Sequence, residues 1–138
     1  MFKILLDTNV AIKVMKKREP VLLQNLGRAI DNGHALFMST VSLLEVQVGV
    51  LRNSNVATAI QKRQSFFKII AGFWDFDEKD ALLAAELRFQ QLRDGVAIGA
   101  YDLLIAAQAI RHDAVLVTSN SKEFARVPNL RWEDWTKN

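Results

Sequence analysis

The opening stretch, Phe2-Lys3-Ile4-Leu5-Leu6-Asp7-Thr8-Asn9, constrains the fold of this chain more than any other segment. Ile4, Leu5 and Leu6 form an unbroken apolar run, the pattern of a strand buried on both faces of a sheet. Asp7 ends that run abruptly. Open parallel sheets bind their ligands just beyond the carboxyl ends of the strands, so a carboxylate there stands at the mouth of any site the fold builds. Asp is also a favoured helix N-cap, and capping alone would account for Asp7. The two readings separate on whether other carboxylates take matching places downstream.

The rest of the chain alternates strands with helices. Thr8 to about Lys17 reads as a helix, and Pro20 suits the first position of another that stops at Asn32-Gly33. Ala35-Leu36-Phe37-Met38 is a second apolar strand, ending in Ser39-Thr40. Val41 to about Arg52 follows as a helix, with Ser42-x-x-Glu45 matching a capping box, and Asn53-Ser54-Asn55 breaks it. Val56, Ile60, Phe67 and Ile70 mark the inner face of a long helix ending near Gly72. Phe73-Trp74-Asp75-Phe76 is a third strand, and Asp77 caps a helix in which Leu82, Ala85, Phe89 and Leu92 recur at spacings of three and four.

Asp94-Gly95 stops that helix and Gly99-Ala100-Tyr101-Asp102 opens the next, with Leu103, Ala106, Ala107 and Ile110 on its buried side. Ala114-Val115-Leu116-Val117-Thr118 is the most strand-like segment. A helical turn around Lys122 to Ala125 and an edge strand near Leu130-Arg131-Trp132 complete the chain. Strands separated by helices imply right-handed crossovers and a parallel sheet, so the expected fold is an α/β sandwich. At 138 residues, with no linker, repeat or low-complexity segment, it reads as a single domain over residues 1–138.

Composition removes several kinds of chemistry. There is no cysteine, which excludes disulfides, thiolate metal sites and a Cys nucleophile. His34 and His112 are too isolated for a zinc site. No uncharged stretch reaches the ~20 residues that a membrane span needs, and the first residues are a strand rather than a signal segment. A soluble, cytoplasmic protein is expected. The formal charge of +3 permits a nucleic-acid partner without requiring one. Lys13, Lys16, Lys17 and Arg18 form the densest basic group, and the three lysines are spaced to share a helical face.

The strand exits and neighbouring helix starts carry a repeated theme. Asp7 follows strand one, Glu45 lies early in the helix after strand two, Asp102 lies in the first turn of the helix before the strand at 114–118, and Asn120 follows Thr118. Singly, Glu45 could be a capping partner and Asp102 a complement to the helix dipole. Together they put three carboxylates and an amide along one edge of a parallel sheet. Two unit charges ~5 Å apart repel by roughly 3 kcal/mol at an effective dielectric of ~20. Three such pairs would cost on the order of 10 kcal/mol, comparable to a domain's whole stability. Either some of these groups hold protons or a cation neutralises them. Hard oxygen donors without thiolate or imidazole favour Mg²⁺ or Mn²⁺, whose natural chemistry here is hydrolysis of a phosphodiester.

Four segments carry a resemblance: Leu5-Leu6-Asp7-Thr8-Asn9, Ser42-Leu43-Leu44-Glu45-Val46, Ile98 to Ala106, and Val117-Thr118-Ser119-Asn120-Ser121-Lys122-Glu123-Phe124. In order and spacing they resemble the successive motifs of the PIN domain, and more narrowly the VapC-type toxins of bacterial toxin–antitoxin pairs. The ending through Glu133-Asp134-Trp135 is similar to that group's tail. The resemblance implies a three-layer α/β/α sandwich with a central, mainly parallel sheet of four or five strands. It implies a Mg²⁺- or Mn²⁺-dependent endoribonuclease acting on structured RNA, with Asp7, Glu45 and Asp102 as catalytic and metal-binding acids. Thr118 matches the supporting hydroxyl, and Asn120 matches a fourth metal position that is often Asp. Glu123 is the acid nearby that could compensate, but reads first as part of a solvated turn.

The partners that the resemblance implies are a VapB-type antitoxin, a second copy of the chain in a homodimer, and larger toxin–antitoxin hetero-oligomers that reach DNA only through the antitoxin. A catalytically idle PIN domain that merely binds RNA or protein is the alternative, and the intact acidic set argues against it. A haloacid dehalogenase-type phosphoaspartate enzyme would need a second Asp where Asn9 stands. A receiver domain would need an acidic pair near strand one, which is missing.

Overall fold

The computed structural model describes residues 2–138. Five strands form one wholly parallel sheet: β1 (Lys3–Leu6), β2 (Ala35–Ser39), β3 (Gly72–Trp74), β4 (Val115–Val117) and β5 (Trp132–Glu133), in the order β3-β2-β1-β4-β5. The connections are α1 (Thr8–Lys16) and α2 (Pro20–Asp31), then α3 (Thr40–Leu51) and α4 (Val56–Phe67), then α5 (Glu78–Asp94) and α6 (Ala100–Arg111), and last α7 (Ser121–Phe124).

The apolar run of β1 explains the layering. Successive strand residues point to opposite faces, so Ile4 and Leu6 enter one apolar layer and Leu5 the other. The first layer joins Val10, Val14, Leu22, Leu26, Val46 and Phe66 from α1 to α4. The second joins Leu5 and Leu116 to Ala84, Leu87, Leu103, Ala106, Ala107 and Phe124 from α5 to α7. β1 is therefore central, and the order of connection reverses between β1 and β4. That reversal opens a crevice at the carboxyl ends of the two strands.

Several elements differ from the sequence pattern. α4 ends at Phe67, and Gly72 belongs to β3 instead of closing the helix. Ala71 N–H donates to Leu36 O at 2.7 Å, so the chain is already extended beside β2. α4 buries Ala59 and Phe66, with Phe67 and Ile70 partly covered, whereas Val56 is exposed. α5 is rotated relative to its apolar periodicity: Leu82, Phe89 and Leu92 face solvent, and Asp80, Ala84 and Leu87 face inward. Asp80 explains this. Its carboxylate accepts from the Asp77 N–H, from Arg111 Nε and from Gln108 Nε2, which ties the first turn of α5 to α6. A hydrophobicity count scores that inner residue as polar. β5 also begins at Trp132, inside the segment expected.

These assignments separate two neighbouring residues. Leu87→Ala should destabilise the protein by about 2–5 kcal/mol, the usual cost of emptying a packed leucine site, whereas Phe89→Ser should change it by less than about 0.5 kcal/mol, as surface substitutions do. Urea unfolding of the two variants checks it. A larger loss for Phe89→Ser would restore the face that periodicity alone suggests.

Candidate active site

Asp7 is reached directly from β1. Its N–H continues the ladder to Val117 O (3.0 Å), and its Oδ1 accepts from Val10 N–H (2.8 Å) as the N-cap of α1. Capping and site placement thus coincide in one carboxylate, only 2% exposed. Burial raises its pKa above the ordinary 3.8, and nearby Glu45 adds to the rise. The Thr118 hydroxyl, the Val10 N–H and the Lys13 ammonium act in the opposite direction. Lys13 also pairs with Glu19 at 3.5 Å across partly exposed surface.

Thr118 directly follows β4 and is fully buried. Its Oγ1 accepts from the Asn120 N–H at 2.9 Å, which turns the chain out of the strand, and its hydroxyl reaches Asp7. Asn120 Nδ2 in turn donates to Glu123 Oε2 at 2.6 Å. The amide nitrogen aligned with a fourth metal position is therefore committed to a neighbouring acid. Glu123 is partly buried and hydrogen-bonds Asp102, so the solvated-turn reading is corrected: Glu123 belongs to the site. The signal for it was its place one helical turn beyond Asn120.

Asp102 comes from the first turn of α6. Its pKa is pushed up to about 7, first by burial, then by the hydrogen bond and charge of Glu123, with Asp7 and Glu45 adding smaller repulsions. The two carboxyl groups of Asp102 and Glu123 are hydrogen-bonded to one another. A Cβ at Gly99 would lie 3.4 Å from Asp102 Oδ2, in close van der Waals contact with it.

Glu45 comes from α3, and here the capping-box reading fails. The helix begins at Thr40, with Ser39 as the cap accepting from Val41 N–H at 3.0 Å. Ser42 lies past the cap, fully buried, and the Glu45 carboxylate instead accepts from Thr8 Oγ1 at 2.6 Å. The basic group is also less regular than its spacing suggested. α1 ends at Lys16, and Lys17 is its left-handed C-cap (φ 53°), so Lys17 leaves the face shared by Lys13 and Lys16.

Asp7, Glu45, Asp102, Glu123, Thr118 and Asn120 are thus gathered at the β1/β4 crevice. Among the described residues no three carboxylate or imidazole groups close up enough to hold a metal unaided. That spacing still suits Mg²⁺, which keeps several waters and takes only one or two carboxylates plus substrate phosphates. Burial first, and then the neighbouring acids, raise the pKa of Asp102, so a cation placed there would be stabilising.

Chemistry at the strand exits on this topology defines a class. The PIN domain model matches residues 4–130, and the chain belongs to the PIN domain family, among its VapC members. It is 35% identical over 133 residues to the ribonuclease VapC2 of Rickettsia felis, covering 96% of this chain and 98% of that protein. It is 28% identical over 135 residues to the tRNA(fMet)-specific endonuclease VapC of Salmonella typhimurium, covering 98% and 99%. In the crystal structure of VapBC2 from R. felis bound to a DNA fragment from its promoter, the matching chain superposes with a TM-score of 0.89 at 33% identity, covering 96% of this chain and 98% of that one. The sheet and helical layers are accordingly the PIN-like α/β/α sandwich. Among the described residues, no helix is long and apolar enough to cross a membrane.

The proton on Asp102 has a measurable consequence in chelator. The unfolded carboxyl titrates near 3.8 and the folded one near 7, so between these values the folded state holds the extra proton. Stability must then fall as pH rises through that window. His112, with its pKa lowered by burial and by Arg111, contributes the opposite slope near neutrality. It cancels when wild type is compared with Asp102→Asn. The urea midpoint of Asp102→Asn should gain on wild type from pH 4 to pH 7 and level off above it. Parallel curves would mean that Asp102 is not the proton holder.

Proposed function

We propose that this chain is a metal-dependent endoribonuclease toxin that hydrolyses phosphodiester bonds in structured cellular RNA, acts in the cytoplasm and is silenced by a VapB-type antitoxin. The observation that carries this reading is the convergence of Asp7, Glu45, Asp102 and Glu123 at one strand-exit crevice, where burial and the neighbouring acids raise the pKa of Asp102. The names of full-length relatives, a ribonuclease and a tRNA endonuclease, support it. The VapBC complex supports an antitoxin partner and, through it, DNA.

Asp7, Asp102 and Glu45 are the residues to hold Mg²⁺ or Mn²⁺, with Glu123 in the fourth place. When bound, the ion supplies Lewis acidity toward a phosphate oxygen and a water. Thr118 and the Val10 N–H orient Asp7 toward the crevice. Positive charge there would lower the raised pKa of Asp102 and favour its carboxylate form. Asn120, its amide nitrogen held on Glu123, orients that acid rather than supplying charge. Lys16, Lys17 and Arg18 are exposed at and just beyond the end of α1; at ~1.5 Å per residue of helix the end of α1 lies well over 10 Å from Asp7, a reach that fits phosphates flanking the scissile bond.

Cleavage of cellular RNA should vanish in EDTA and return with Mg²⁺ or Mn²⁺. Asp7→Asn, Glu45→Gln and Asp102→Asn should each lower it at least ~100-fold while the fold survives, since even outer-shell partners of a metal are worth 10- to 100-fold. Asn120→Ala should cost less than any of these. Cleavage undiminished in chelator would reject the metal, and RNA bound but never cut would make the chain a binding module. Replacing Lys16, Lys17 and Arg18 with Gln should raise KM, leave kcat nearly unchanged and flatten the salt dependence, making its log–log slope less negative by about 0.7 per lost contact on single strands. An unchanged salt slope would leave those residues as ordinary solvated surface.

A further inference from the structure

Thr8 and Ser42 have no part in the acidic set, yet both are shut from solvent beside it. Thr8 opens α1 directly after Asp7, and Ser42 lies one turn before Glu45 on α3. Thr8 Oγ1 is 2.6 Å from Glu45 Oε1 and 3.0 Å from Ser42 Oγ. A hydroxyl has one proton to donate and two lone pairs with which to accept. The Glu45 carboxylate offers lone pairs, and 2.6 Å lies in the range of a charge-assisted O–H···O⁻ bond. The Thr8 proton therefore goes to Glu45, and the 3.0 Å contact is Ser42 donating to Thr8. The chain runs one way, from Ser42 through Thr8 to Glu45.

Neither hydroxyl is needed to start its helix, because Asp7 caps α1 and Ser39 caps α3. Ser and Thr are mediocre helix formers, and each buried hydroxyl is costly unless paired. Glutamate, in contrast, loses considerable rotamer freedom when it is ordered. We propose that Thr8 and Ser42 are positioning residues, a buried hydroxyl relay that fixes Glu45 relative to Asp7. Because Thr8 follows Asp7 on the same turn, the relay links the α1 and α3 acids through one rigid backbone step. One oxygen of Glu45 is tied to Thr8, and the other is left for the site. The relay's importance to cleavage rests on the nuclease reading of Glu45.

The test uses the full chain, comparing Thr8→Val, Thr8→Ser and Ser42→Ala for Mn²⁺ affinity by electron paramagnetic resonance, RNA cleavage and urea unfolding. Thr8→Val keeps the shape and deletes the donor. It should weaken Mn²⁺ binding and lower kcat by roughly 10- to 100-fold, as loss of a partner orienting a metal ligand does, with KM for RNA unchanged. Thr8→Ser should recover most of both, and Ser42→Ala should lose less than Thr8→Val. In a Glu45→Ala background, Thr8→Val should add no further loss, because residues acting through one contact are not additive. Wild-type Mn²⁺ affinity and kcat in Thr8→Val, or losses that multiply with Glu45→Ala, would overturn the relay. Should Thr8→Val fail to fold, Ser42→Ala carries the same comparisons. If wild type neither binds Mn²⁺ nor cuts RNA, the nuclease reading has failed. The relay is then decided by unfolding: midpoint shifts of Thr8→Val and Glu45→Ala that are smaller together than their sum support it, and additive shifts reject it.

Discussion

Asp7 is shut from solvent between β1 and α1, and burying a carboxylate is costly unless hydrogen bonds and nearby charge compensate. Compensation comes from three directions. Val10 N–H at the start of α1, the Thr118 hydroxyl at the end of β4 and the Lys13 ammonium one turn further on all favour the charged form. Each donor belongs to an element placed by the parallel pairing of β1 with β4. The register Leu5 with Leu116 and Leu6 with Val117 therefore sets the site as well as the sheet. A shift of one residue would exchange the two apolar layers and leave Asp7 without Thr118.

Around that centre the other acids are graded by environment. Asp102, half-buried and facing Glu123, keeps a proton near neutrality. Glu45 is held from behind by Thr8. Glu123 is joined to Asn120 on one side and Asp102 on the other. Four carboxylates coexist in one crevice because they are dispersed over α1, α3, α6 and α7 and individually bonded. The same dispersal leaves room for an ion that brings its own waters.

At the far end of α6 a second polar knot fixes the scaffold. Asp77 and Asp80 form the capping box of α5, and Arg111 bridges both carboxylates from the end of α6. Gln108 adds a bond to Trp74 O at 3.1 Å, and Trp74 stacks between Phe37 and His112. α6 is thereby secured at its far end, which holds its first turn, with Asp102, over the sheet.

Much of this was legible in the residues themselves. An apolar run ended by Asp7 specifies a buried strand with a carboxylate at its exit, because strand burial and helix capping are local properties. The order of strands and helices, the cap at Asp77 and the inner face of α6 at Leu103, Ala106 and Ala107 follow from the same local rules. Tertiary structure decided what pairwise contact decides. α5 turned its leucine stripe outward because Asp80 found Arg111 and Gln108 on another helix. Ser42 proved to be a buried partner of Thr8, 34 residues away, and not a cap. Glu123 joined the site because Asp102 lay opposite it. Periodicity measures each residue's own affinity for water; it carries no information about which distant partner will satisfy a polar group, and at this site those partners position the acids.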